Sequence, residues 1–124
     1  MKLLSVALVA FVLCASFFVS KPAVADDSLV LSICNFVAAD DKNRLRKKLK
    51  SSKVKLRNIY DGVVCNGLTL LQFSMQKEAN NVGKYIVKRL PSSKLKSGNE
   101  LAWAQDNGFA ESEIVAAIKK RAGL

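Results

Sequence analysis

Apolar residues return along this chain at the three-and-four spacing of a helix, in short runs that polar or glycine breaks keep closing. Leu29, Ile33, Phe36 and Val37 fall on one face after Asp26-Asp27-Ser28. That predicts a first helix over 28–39, capped by Ser28, with the two aspartates favourable at its N-terminus. Asp40 or Asp41 caps a second helix, whose stripe is only Leu45 and Leu49 and which ends at Ser51-Ser52. Over 53–60 the pattern changes to weak alternation, Val54 and Leu56 against Lys53, Lys55 and Arg57, so an extended insertion or short edge strand is expected. Thr69-Leu70-Leu71-Gln72 can form a capping box for a third helix carrying Leu70, Leu71 and Phe73. Asn80-Asn81 opens a fourth, with Val82, Tyr85, Ile86 and Leu90 on one face, and Pro91 stops it. Residues 92–98 read as loop. A fifth helix starts across Ser97-Gly98-Asn99-Glu100, carries Leu101 and Trp103, and closes at Asn107-Gly108. The sixth runs over 112–122 with Ile114, Ala117 and Ile118 inward and Gly123 as its stop.

The six helices come in pairs, and the pairs are spaced alike. Gly67 and Gly98, Leu70 and Leu101, and Phe73 and Ala104 are 31 apart; Val82 and Ile114, Ile86 and Ile118, and Arg89 and Arg121 are 32 apart. The first pair fits at an offset of 37, as with Ile33 to Leu70 and Leu49 to Ile86, the extra residues falling in 53–60. The expected fold is all-α: about six helices in three stacked helical hairpins, with a short extended insertion between the first two. The stretch 58–73 is the joint, since a turn, Cys65, a second glycine corner and a helix start follow one another in it without a spacer.

The first 25 residues stand apart from that pattern. Lys2 precedes an uncharged, mainly apolar run over 3–19, and Ala23-Val24-Ala25 has the small-x-small form of a cleavage site. A signal peptide over 1–25 and a single domain over 26–124 are expected, in an exported, periplasmic or secreted protein, with no membrane span left after cleavage. Losing Lys2 and Lys21 lowers the formal charge from +10 to +8. Losing Cys14 leaves Cys34 and Cys65, which in an exported chain pair most simply as a disulfide. In the repeat register that bond clamps the first hairpin to the second, where the apolar stripe is thinnest.

Catalytic chemistry is poorly supplied. Histidine is absent, which removes the usual general base and the commonest metal ligand. Paired cysteines offer no thiolate, so neither a metal nor a cofactor site is expected. Asp40-Asp41 reads as a helix cap. Ser-x-x-Lys at Ser52/Lys55 and Ser93/Lys96 lacks the companion motifs of penicillin-binding enzymes. Trp103 and Tyr85 sit at core positions.

Positive charge is the strong feature. Lys42, Arg44, Arg46, Lys47, Lys48, Lys50, Lys53, Lys55 and Arg57 place nine cations in sixteen residues with no acid among them. Cations also end the second helix of the later pairs, at Lys88 and Arg89 and at Lys119, Lys120 and Arg121. Helix dipoles account for two or three such charges per helix. In a hairpin stack the three helix ends align along one edge, and the basic insertion extends the first into a ridge that attracts anions. Nucleic acid suits it poorly, because no aromatic residues are interleaved with the basic run.

Gly67-Leu68-Thr69-Leu70-Leu71-Gln72-Phe73-Ser74 resembles a degenerate ankyrin opening, matching its glycine, threonine and following leucine while departing at Leu70, Gln72 and Ser74. Two blocks, Cys34-Asn35-Phe36-Val37-Ala38-Ala39-Asp40-Asp41 and Ile59-Tyr60 through Cys65-Asn66-Gly67, are similar to an uncharacterised family of small exported proteobacterial proteins, over about residues 30–95. The first resemblance implies protein binding, and the second names no activity. The expected function is a non-enzymatic exported interaction module whose basic ridge binds an acidic protein or an anionic membrane surface. The alternative is a small cell-envelope hydrolase or an inhibitor of one. A membrane-active polypeptide fits less well, since Leu45 and Leu49 give too narrow an apolar face.

Overall fold

The computed structural model describes residues 26–124; the expected signal peptide, Cys14 included, lies outside the described residues. Among these, eight α-helices occur: α1 (Asp27–Ala38), α2 (Lys42–Ser51), α3 (Leu56–Ile59), α4 (Leu70–Gln76), α5 (Asn80–Arg89), α6 (Ser92–Ser97), α7 (Glu100–Asp106) and α8 (Glu113–Ala122). A 3-10 turn over Tyr60–Gly62 follows α3, and no strand is present among the described residues.

Two of the eight correct the sequence reading, which held about six. The segment expected to be extended contains α3 instead. Leu56, Ile59, Tyr60 and Val63 recur at helical spacing and all four are buried, so burial of that face overrides the Lys-Val alternation just before it. The expected loop over 92–98 contains α6. Its only buried residue is Leu95, and one apolar position carries no period to read.

Caps were more legible than short helices. Thr69 and Gln72 form the full capping box at α4, Asp41 accepts from the Arg44 amide at 3.0 Å to start α2, and Ser112 starts α8. At α1 the cap is Asp26, accepting from the Leu29 amide at 2.7 Å, and Ser28 lies one residue inside the helix. Asp40 has a different task. Its backbone is left-handed, φ 52°, and its two carboxylate oxygens accept from the Val82 amide at 2.8 Å and the Asn81 side-chain amide at 3.0 Å. The first residue of α5 follows Ala79, which supplies no side-chain cap, so the turn after α1 caps a helix about forty residues away and ties the two together.

The pairs α1/α2, α4/α5 and α7/α8 are in contact, α4 also packs on α1 and α7, and α5 on α2 and α8. Their inward faces merge into one core running from Leu29 to Ala122. The short α3 packs on α5, and α6 on α8. Gly83 permits the α5–α8 approach, because a Cβ there would collide with the Ile114 side chain.

Cys34 on α1 is bonded to Cys65, with their Cα atoms 5.7 Å apart. Asn66 and Gly67 follow with φ of 53° and 77°, and Cys65 and Leu68 exchange both backbone hydrogen bonds at 2.9 Å. This is the two-residue turn that needs left-handed backbone at both central positions, hence Asn-Gly. The bond, the turn and the α4 cap occupy five consecutive residues.

Two outcomes follow from this packing. Replacing both Cys34 and Cys65 with serine should lower stability by about 3.7 kcal/mol, because the unfolded chain regains the entropy that closing a loop of about 32 residues removes, read from urea unfolding against the oxidised wild type, with the reduced wild type matching the variant. Gly83→Ala should destabilise by about 1–3 kcal/mol through overpacking against Ile114, although alanine is the better helix former.

Candidate anion-binding site

Because Leu45 and Leu49 face the core, α2 must turn its cations outward. Arg46, Lys47 and Lys50 line an open hollow with Asn43. Arg46 and Lys50 also line the next one, with Lys55, Tyr85 and Arg89. Lys55 and Arg89 continue into a third hollow of about 460 Å³, completed by Arg57, Lys88 and Arg121 around Leu56, Leu90 and Pro91. The three share walls and contain no acidic residue.

Inward burial of Leu56 and Ile59 determines where the insertion's charges go: Lys55 and Arg57 are left exposed beside the end of α5. Two of the arginines are held by neutral partners. The Arg89 guanidinium lies 5.1 Å from the centre of the Tyr85 ring, and Arg121 Nε donates to the Leu90 carbonyl at 3.2 Å. The ion pairs among the described residues are elsewhere, at Arg44–Asp41, Lys84–Glu113 and Lys94–Asp61.

The nine cations singled out in the sequence therefore divide. Arg46, Lys47, Lys50, Lys55 and Arg57 line the connected hollows, whereas Lys42, Arg44, Lys48 and Lys53 do not, and Arg44 is paired with Asp41. Lys88, Arg89 and Arg121, noted in the sequence as helix-end cations, meet Lys55 and Arg57 in the third hollow. Beyond Lys88 and Arg121 lies a groove of about 680 Å³ between α5 and α8, floored by Val87, Ala116 and Ala117.

A second polar cluster escaped the sequence reading. Glu100, 7 % exposed, accepts from the Tyr60 hydroxyl at 2.9 Å and the Thr69 hydroxyl at 3.0 Å on the same oxygen. Beside it Lys94 donates to Asp61 at 2.6 Å. Burial, above all, pushes the Tyr60 phenol well above its ordinary value, and the adjacent Glu100 carboxylate adds to the rise. The partners are 31 and 40 residues apart in sequence, so no local motif announces them. The cluster joins the 3-10 turn, the α4 cap and the start of α7, and its role is to hold them.

Of the Ser-x-x-Lys pairs, Ser93 and Lys96 are both exposed on α6, and Lys55 lines two of the basic hollows. Among the described residues no three His, Cys, Asp or Glu side chains gather as a metal site, and no helix is long and apolar enough to cross a membrane.

The family described as "Protein of unknown function (DUF3718)" matches the chain over residues 33–97. No curated protein and no solved structure matches it. The matched span holds both bonded cysteines, the Tyr60 turn and four of the five cations of the third hollow, and it ends before Arg121.

The Tyr60 node gives a pH signature. A phenol whose folded-state value is raised contributes stability that is complete below its unfolded value of 10.0 and lost as pH climbs above it. Tyr60→Phe should cost about 1.5–3 kcal/mol at neutral pH, the worth of a hydrogen bond to a charged group. It should also make the stability loss above pH 10 shallower than in the wild type, as read from denaturant melts at several pH values.

Proposed function

The chain belongs to the DUF3718 family, whose function is unknown, and from its own geometry we propose that it is an exported, non-enzymatic binding module that presents a basic edge to an anionic partner. The observation that carries this is the run of three wall-sharing hollows, from Arg46 to Arg121, with no carboxylate in any of them. Cations gathered without counter-charges repel one another, and an external anion relieves that repulsion. The inter-helix contacts support reading the fold as three stacked hairpins on the ankyrin plan, in which the ends of α2, α5 and α8 fall along one side. The disulfide suits an oxidising compartment, which favours export and an anionic envelope surface or an acidic envelope protein as partner.

Binding of this kind is fast at low salt and weakens as salt screens the edge, over a Debye length of about 8 Å at physiological ionic strength. The protein should sediment with vesicles of anionic phospholipid at low salt, release as NaCl rises, and ignore zwitterionic vesicles. Reversing Arg46, Lys47 and Lys50 to glutamate should weaken capture at least tenfold with the melting curve unchanged. Reversing Lys77 and Lys96, outside the hollows, should change it little. Capture that survives the triple reversal would remove the basic edge from the account.

A further inference from the structure

The third hollow differs from the rest of the edge. The first is lined by residues of α2 alone, a solvated helix whose last-turn cations complement its dipole, and the second takes Arg46, Leu49 and Lys50 from that helix and the rest from residues 54–56 and α5. The third gathers Lys55, Arg57, Lys88, Arg89 and Arg121 from three elements, α3 with its preceding residue, α5 and α8, around a floor of Leu56, Leu90 and Pro91. Dipole compensation explains Lys88, Arg89 and Arg121, which lie in last turns. It does not explain Lys55, which sits at the N-terminal end of α3, where a cation is disfavoured. Nor does neutralisation by a neighbour, since none of the five is in an ion pair among the described residues.

We infer that this hollow is a seat for a phosphomonoester or diphosphate group. The inference rests on the reading of the edge as anion-binding and narrows it to one place and one chemistry. Five positive charges exceed what a carboxylate or a phosphodiester can neutralise, whereas a terminal phosphate carries close to two charges near neutral pH and offers three acceptor oxygens. Three of the cations, Arg57, Arg89 and Arg121, are guanidinium groups, whose planar forks fit phosphate oxygens in pairs. Two of these are already steered, Arg89 by Tyr85 and Arg121 by the Leu90 carbonyl, so less side-chain freedom is lost on binding. At about 460 Å³ the hollow falls in the range of about 300–1,000 Å³ usual for small-ligand clefts. The apolar-floored groove that opens past Lys88 and Arg121 favours a phosphate borne on a lipid over a free one.

The test compares vesicles carrying phosphatidic acid, a phosphomonoester, with phosphatidylglycerol vesicles matched for surface charge, and adds free inorganic pyrophosphate as competitor. Two variants each lose two charges: Lys55→Gln with Arg57→Gln inside the hollow, and Lys42→Gln with Lys47→Gln outside it. All four positions are exposed, and unfolding curves confirm that both variants fold. The expected result is at least tenfold tighter binding to phosphatidic acid than to phosphatidylglycerol, a preference erased by K55Q/R57Q and kept by K42Q/K47Q, with millimolar pyrophosphate competing. Equal binding to the two lipids, with both variants weakened alike, would overturn the hollow while leaving the basic edge standing. Failure to bind either lipid or pyrophosphate would overturn both. Pyrophosphate binding as tight as lipid binding would keep the phosphate seat and reject the groove's part in it.

Discussion

The segment from Lys53 to Cys65 has to bury four side chains while crossing from one helical pair to the next, and most of the surface follows from how it does so. Leu56, Ile59, Tyr60 and Val63 go into the core, which leaves Lys55 and Arg57 only the outer side, against the end of α5. Three attachments fix that crossing. The disulfide anchors its far end to α1, the Tyr60 hydroxyl anchors its middle to Glu100 of α7, and Asp61 meets Lys94 of α6. Without them, a connection this long with a single helical turn would be expected to fray. The third hollow would then lose one wall.

The same crossing marks where sequence legibility stops. The Thr69–Gln72 box, the Asn-Gly corner and the core faces of α1, α2, α4, α5 and α8 could be read because each is a local signal with a fixed spacing, and the cysteine pair because only two remain once the expected signal peptide is set aside. The α3 turn was hidden by its approach: Lys53, Val54, Lys55 and Leu56 alternate like a strand, and the helical spacing begins only at the last of them. α6 offers one apolar residue, Leu95, and so no period. The Tyr60–Glu100–Thr69 cluster and the capping of α5 by Asp40 depend on residues 31 to 42 apart, and no pattern in one sequence links such partners.

For the candidate site, the basic run was plain but its division was not. Nine cations in a row look equivalent in sequence. In the fold, Arg46 and Lys50 line a hollow shared with residues 54–56 and α5, Lys47 lines one formed by α2 alone, and Lys42 and Lys53 lie outside the hollows. What joins Arg121 to the charges of α2 is the lateral packing of α2, α5 and α8. The repeat spacing of 31 and 32 residues hinted at this by putting Arg89 and Arg121 in register.

The distribution of carboxylates explains how such an edge can persist. Asp26 and Asp41 cap their own helices and Asp40 caps α5; Glu100 is buried with two hydroxyls, and Asp61 and Glu113 are paired with Lys94 and Lys84. Six of the ten acidic residues are thus engaged in holding helix starts and junctions, and none of the ten lines the basic hollows. Each of those six sits where its negative charge answers an amide, a hydroxyl or a cation, and moving one to the basic edge would leave its donors unanswered. The positive edge is therefore the complement of how the fold uses its few acids. Mutual repulsion there works against folding, and a covalent clamp whose loop-closure contribution does not depend on ionic strength is a suitable counterweight. Five cations around one hollow, none of them in an ion pair among the described residues, are what the proposed binding of an outside anion would relieve.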